Sequence, residues 1–226
     1  MRKSANAVFT TACPVLGRTT QQLARILAAA ALGVVLVVLG AAREGSSATV
    51  DSATLGASKS MEAKMQILED KNEHPTYPAV VVTDREANAW LKVHSGEFLP
   101  AGVGTPSINT QPDHAVAQGD VDFDKLARLY PNPNDMGPKI LAAMFHGTQH
   151  VVITGTIQNQ PPGVLMQVES IVVGGTTMPK WLVDYMIQNV LQPKYHFDLS
   201  KPFPYPDHVR QVVMGSGTTT FLRGPR

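Results

Sequence analysis

Two histidines four residues apart have the clearest metal-ligand spacing in the sequence. His146 and His150 flank "GTQ", and on a helix this spacing places two imidazoles on one face. The glycine between them and the strand-like residues that follow argue against such a helix, and no H-E-x-x-H motif is present. A metal site also needs a third ligand and supporting hydrogen bonds. We therefore expect hydrogen-bonded or solvated histidines at strand ends, with no metal and no cofactor.

Three aspartates stand at alternate positions in "DVDFD", residues 120–124. On a strand they would line one face, as Ca²⁺ ligands or paired catalytic carboxylates do. No twelve-residue loop with a central glycine and a distal glutamate follows, which excludes an EF-hand. The pattern is more typical of the water-facing side of an edge strand.

Nucleophilic and phosphoryl-transfer chemistry lack their motifs. The sequence has no G-x-S-x-G and no glycine-rich loop followed by Lys-Ser/Thr. The only cysteine is Cys13, so residues 49–226 offer no thiol nucleophile and no disulfide. We expect a protein that is not an enzyme.

The near-zero net charge argues against nucleic-acid binding, and the N-terminal segment indicates export. The 226 residues carry a net formal charge of +1, which leaves no basic excess to neutralise phosphates. Four basic residues and no acid precede an uncharged run of seventeen residues, "ILAAAALGVVLVVLGAA" (26–42). This pattern predicts that residues 1–48 are a cleaved signal peptide or, at the lower length limit for spanning a bilayer, a membrane anchor. Either one places the rest in the bacterial periplasm, soluble or anchored in the inner membrane.

Hydrophobic periodicity organises the exported part. Residues 43–57 are small and polar, residues 58–72 have a helical period, and we assign 49–78 to a linker and amphipathic helix. In the main domain, 79–226, Thr83 and Glu86 form a capping-box pattern. Residues 114–126 alternate with a period of two, "NQPPG" joins two strands, and "VRQVVMGSGTTTFLRG" reads as one bent strand. Hairpin-linked strands without a βαβ rhythm predict an α+β fold with an antiparallel sheet.

The segment "PKWLVDYMIQNVLQ", residues 179–192, reads as an unusually apolar helix. Its polar residues recur every four positions in one narrow stripe: Lys180, Asp184, Gln188 and Gln192. An ordinary surface helix buries an apolar stripe of roughly 100°, so this helix needs cover on nearly three sides. A plain buried helix fits the pattern. The wall of an apolar ligand groove fits it too, since methionine and aromatic side chains make an adaptable lining.

Four segments together resemble a known family. They are "VVVTDREANAWLKV", "LPAGVGTPSINTQPDHAVAQGDVDFDKL", "ESIVVGGTTMPKWLVDYMI" and "FPYPDHVRQVVMGSGTTTF". With the hairpin between them, they look like the single-domain bacterial members of the tubular lipid-binding (TULIP-like) proteins over roughly residues 79–222. "PYPDHV" departs from the leucine-proline-x-glycine that is usual before the last strand.

The resemblance implies a strongly curved antiparallel sheet wrapped around a long apolar helix, enclosing a groove for acyl chains and having no catalytic residues. By position, the groove would be lined by Trp181, Leu182, Tyr185, Met186, Val190, Trp90, Phe98, Val164, Met166 and Val168. We therefore expect a non-catalytic lipid-binding or lipid-carrier protein of the cell envelope. Its partners would be a lipid or other amphiphile, and the membrane if the N-terminal segment is retained. The alternative is a structural or assembly module, whose closed core leaves a strand edge to bind an envelope protein.

Overall fold

The computed structural model describes residues 50–69, 78–99, 102–104, 106–129, 143–188 and 198–224. In chain order its elements are α1 (Ser52–Glu69), β1 (Ala79–Thr83), α2 (Asp84–Phe98), β2 (Ser107–Thr110), β3 (Ala115–Asp122), α3 (Phe123–Leu129), β4 (Thr148–Gln160), β5 (Gly163–Val173), β6 (Thr176–Thr177), α4 (Lys180–Met186), β7 (Phe203–Pro204), β8 (Val209–Gly215) and β9 (Thr218–Arg223).

The described strands form two antiparallel sheets. The three-stranded sheet has the order β1-β9-β8, and the six-stranded sheet has the order β2-β3-β4-β5-β6 with β7 paired to β5. The predicted α+β class with antiparallel pairing is confirmed, and the described strands do not close into a barrel. Residues 1–48, the predicted signal or anchor, lie outside the described residues. Within the described part of the chain, no helix combines the length and the apolar character needed to cross a bilayer.

The β4–β5 hairpin is the longest strand pair and matches its prediction. Pairing runs from Val151 opposite Val173 to Gln160 opposite Gly163, around a turn at Pro161 and Pro162. The register shifts between Thr154 and Gly155. A side chain at position 155 would place its Cβ only 2.8 Å from the Gln167 carbonyl oxygen, so this close approach requires glycine.

Three element boundaries differ from the sequence predictions. The helix expected from residue 58 begins at Ser52, because the Asp51 carboxylate accepts hydrogen bonds from the Thr54 N–H and hydroxyl at 2.8 Å. The strand expected through 126 ends at Asp122, whose side chain accepts from the Lys125 N–H at 2.8 Å and caps α3. The single bent strand at the end is a β8–β9 hairpin, since Gly217 at φ 71° lets the chain reverse.

Two clusters of buried side chains form the core. The first lies on the six-stranded sheet and contains Leu91, Ile108, Ala117, Val121, Phe123, Val151, Ile153, Ile171, Val173, Met178, Leu182 and Val183. The second joins α1 to the three-stranded sheet and contains Met61, Met65, Leu68, Val80, Val82, Val164, Val209, Val212 and Phe221. Trp90 of α2 packs against both clusters. Among the described helices, α2 therefore packs against both clusters.

The helix predicted over 179–192 is described only in part. α4 spans Lys180–Met186, and residues 189–197 lie outside the described residues. Leu182 and Val183 are buried in the first cluster, while Lys180 pairs with Asp184 at 3.0 Å on the exposed side. A long apolar helix wrapped by a curved sheet stays a prediction.

Candidate functional site

The predicted lining residues occupy different environments. Leu182 is buried in the first cluster and Val164 in the second. Trp90, Met166, Val168 and Tyr185 are half-buried and pack against one or both clusters. Val190 and the side chains of Phe98 and Met186 lie outside the described residues.

Trp181 lies at the surface, with 70% of its area exposed. It comes one residue after the start of α4, and the next two residues, Leu182 and Val183, take the buried side of this short helix. An indole this exposed presents apolar surface to whatever the protein meets.

The boundary between the two core clusters crosses strand β5. Val164, Met166 and Val168 alternate along one face of this strand. Met166 packs against the second cluster, whereas Val168 packs against the first. Ile157, directly opposite Met166 on β4, is also half-buried. We call the half-buried apolar residues Trp90, Ile157, Met166 and Val168 the seam.

The first cluster packs closely away from the seam. The gap between Val103, Pro106 and Val151 has no room for a water molecule. Other half-buried apolar side chains, such as Val103, Phe145 and Ile187, border the first cluster, so the seam is distinguished by its place where the two clusters meet. Three of its residues are predicted lining positions.

Glu86, at the amino end of α2, is the most strongly hydrogen-bonded carboxylate of the described chain. Glu86 completes the predicted capping box with Thr83, and it also accepts hydrogen bonds from Lys64 and Ser60 of α1. The Lys64 Nζ lies 2.6 Å from the Glu86 Oε1. Burial raises the pKa of Glu86, but the hydrogen bonds from Lys64, Ser60 and Thr83 together outweigh it and hold the pKa at about 2. This carboxylate ties α1 to α2 and stays ionised at neutral pH.

Two further polar residues of α2 bind the open edge of β2. The Asp84 carboxylate accepts hydrogen bonds from the Thr110 N–H and hydroxyl, each at 2.7 Å. The Asn88 amide donates to the Ile108 carbonyl at 2.9 Å and accepts from the Ile108 N–H at 2.7 Å. Asp84 and Asn88 lie one helical turn apart and therefore reach alternate residues of β2. These two side chains hold α2 against the strand, so their role is structural.

The histidines and aspartates that the sequence analysis considered as metal ligands form separate pairs. His150 Nδ1 lies 2.9 Å from Asp120 Oδ1 on the neighbouring strand, and His146 Nδ1 lies 3.7 Å from Asp124 Oδ1. Of the "DVDFD" aspartates, Asp120 and Asp122 share the outer face of β3, where Asp122 also caps the next helix, whereas Asp124 lies within α3. In the ranges that the structure describes, no group of three such residues could hold a metal ion.

A surface cleft of about 470 Å³ lies between the β4–β5 turn and the entry to β8. Its wall consists of Pro161, Pro162, Tyr205, Pro206, Asp207, His208, Val209, Arg210 and Gly224. The Tyr205 hydroxyl donates to Asn159 Oδ1 at 2.8 Å, and burial raises the pKa of Tyr205. Asn159 also exchanges two hydrogen bonds with the main chain of Val212, so the β4–β5 turn is fixed against β8.

His208 is the unusual residue of this cleft. It is only 6% exposed, and among the residues that the structure describes neither of its ring nitrogens has a hydrogen-bond partner. Its φ of 62° lies in the left-handed region, which is uncommon for residues other than glycine. The sequence predictions missed this cleft, although it coincides with the "PYPDHV" departure from the family pattern.

No protein-family model matches this chain, and no curated protein matches it in sequence.

Proposed function

We propose that this protein is a non-catalytic lipid-binding protein of the bacterial cell envelope, and that acyl chains lie along the seam. The observation that carries the proposal is the group of half-buried apolar side chains of the seam, where the two clusters meet. A strongly curved sheet around the helix that the sequence predicts over 179–192 would complete the groove. Export through the N-terminal segment would deliver the protein to the periplasm, either soluble or anchored in the inner membrane.

The chemistry of the seam suits a flexible apolar ligand. Met166 is an adaptable thioether side chain, and Trp90 offers a broad apolar ring surface. Gly155, which lies opposite Val168, contributes no side chain to the inner face at this level. Each methylene of a ligand that leaves water here would contribute about 0.8 kcal/mol. The exposed Trp181 would place an indole at the membrane surface during loading.

The first test is a lipid-binding measurement on the full-length chain purified in a mild detergent. We expect a co-purified lipid in organic extracts by mass spectrometry, together with saturable binding of a fluorescent fatty acid. The Val168→Trp variant should fill the seam and weaken fatty-acid binding at least about tenfold, a loss of about 1.4 kcal/mol.

Val213→Trp is the matched control. Val213 is exposed on the outer face of the three-stranded sheet, so the same change there should leave fatty-acid binding unaltered. Circular dichroism of both variants checks that they fold. Wild-type protein that carries no lipid and binds no fatty acid would refute the proposal.

The assembly-module alternative is favoured by a different observation. Val81, Val213 and Leu222 are exposed apolar residues of the three-stranded sheet, and Val81 and Val213 flank Thr220 in one cross-strand row. Such a face suits contact with a protein. Photo-crosslinking in cells separates the two functions. A crosslinker at position 168 should capture lipid if the seam binds acyl chains, whereas one at position 213 should capture a defined protein if the outer face is an assembly surface.

A further inference from the structure

We propose that the cleft beside His208 is a second binding site, specific for an organic oxyanion that carries phosphate or carboxylate. Arg210 and His208 would hold the anion, and the proline-rich wall with Tyr205 would contact its organic body. This site lies apart from the seam and does not depend on acyl-chain binding.

The size and composition of the cleft indicate a ligand larger than a simple ion. Its volume of about 470 Å³ falls in the range of small-molecule sites. Pro161, Pro162 and Pro206 give it a stiff apolar wall, and Val209, a member of the second core cluster, also lines it. Because this wall is rigid and largely apolar, it can bind the organic part of a ligand at little entropic cost.

His208 points to a ligand because its position is costly without one. An unpartnered polar group away from water loses free energy, and a left-handed backbone at a residue with a side chain adds strain. Both features occur at this one residue, which forms part of the cleft wall. An imidazole offers one N–H donor when neutral and two when protonated. An oxyanion bound in the cleft would supply the missing acceptor.

Arg210 provides the charge for an anion. Its guanidinium lies against Gly224, where an added Cβ would be only 2.8 Å from the Arg210 Nε. Because Gly224 has no side chain, the Arg210 guanidinium can occupy this position at the cleft. Within the described part of the chain, Arg210 forms no ion pair. Asp207, the acidic residue of the wall, already takes part in an interaction of its own. A fork of N–H donors fits carboxylate and phosphate geometry.

The test measures anion binding by the full-length protein with histidine ring NMR and calorimetry. Probes are inorganic phosphate, sn-glycerol 3-phosphate and acetate in solution, and phosphatidylglycerol vesicles compared with phosphatidylcholine vesicles. We expect saturable binding that shifts the His208 ring resonances, which the His208→Asn variant identifies by their loss. Asparagine tolerates a positive φ, so this variant keeps the backbone. A soluble source of the anion gives binding of glycerol phosphate or acetate, whereas a lipid source gives binding of phosphatidylglycerol vesicles alone.

The Arg210→Gln variant should bind the same probe at least about tenfold more weakly, because charge-assisted hydrogen bonds are lost. Arg128→Gln is the control, since Arg128 is an exposed arginine of α3 that does not line the cleft. The proposal is overturned if no probe binds saturably, or if Arg210→Gln and Arg128→Gln bind equally well.

Discussion

At the amino end of α2, Glu86 accepts hydrogen bonds from Lys64, Ser60 and Thr83, whereas in the cleft His208 has no partner for either ring nitrogen. Both residues are largely buried and both belong to segments that enter the second core cluster. The backbone before Glu86 follows an ordinary capping box, while that of His208 is left-handed. The largely buried polar side chain thus has several hydrogen-bond partners in the first region and none in the second.

Under our proposal for the cleft, the difference separates a polar group that supports the fold from one that binds a ligand. A buried polar group with all its partners contributes rigidity, and its removal leaves those partners without a bond. A buried polar group without partners lowers stability, and such groups are retained where a ligand or a reaction uses them. Substitutions at Glu86 and His208 should therefore differ sharply in their effect on the free energy of unfolding.

The largest effect is expected from Glu86→Ala. This change removes the Lys64 ion pair and the capping box together, and should lower the free energy of unfolding by about 3 kcal/mol. Urea unfolding measures it. Glu62→Ala is the control, because Glu62 bonds His94 at the same helix interface but is 41% exposed, and a loss of about 1 kcal/mol is expected there. Equal losses in the two variants would contradict the role given to the Glu86 cluster.

Acid should weaken the same cluster in a defined pH range. The pKa of Glu86 is about 2 in the folded protein against an ordinary value of 4.5, so the unfolded chain takes up the proton first as pH falls. The stability that Glu86 contributes is complete above about pH 4.5 and is lost as pH falls to about 2. Its loss has a slope of at most about 1.4 kcal/mol per pH unit.

The measurement compares urea unfolding of wild type and Glu86→Gln at pH 6, 4 and 2.5. The stability difference between the two proteins should shrink steadily toward the lowest pH. A difference that stays constant with pH would show that Glu86 does not titrate as described.

The smallest effect is expected from His208→Gly. Glycine adopts a positive φ without strain, and the change also removes the unpartnered ring; these gains of about 1–2 kcal/mol oppose the lost packing of the imidazole. We expect the free energy of unfolding to change by less than about 1 kcal/mol in either direction. Thermal and urea unfolding both measure it. A loss as large as that of Glu86→Ala would assign His208 to structural support and remove the contrast between the two regions.

Features that depend on neighbours in sequence were predictable. The Thr83–Glu86 capping box lies within four residues, and the β4–β5 hairpin needs only two apolar strands and a proline-glycine connection. Alternation in β3 correctly placed Ala115, Ala117 and Val121 on the buried face. The same local signals supported the α+β class, since hairpins require antiparallel pairing.

Features that depend on distant contacts were not predictable. Periodicity grouped Trp181 with the apolar residues of its helix, but its exposure depends on which side of α4 meets the sheet. The alternation of the three aspartates suggested one strand face, and Asp120 and Asp122 do share it, but the chain enters α3 at Phe123 and takes Asp124 off the strand.

The sequence by itself determined the Thr83–Glu86 cap, the alternation of the strands and the Lys180–Asp184 pair of α4, because each arises from bonds and faces within a few residues. Only the tertiary structure decided that Glu86 would also bind Lys64 of α1, that two core clusters would meet at a half-buried seam, and that His208 would lie in a cleft without a partner. The physical reason is that burial and hydrogen-bond satisfaction depend on groups brought together from distant positions in the chain.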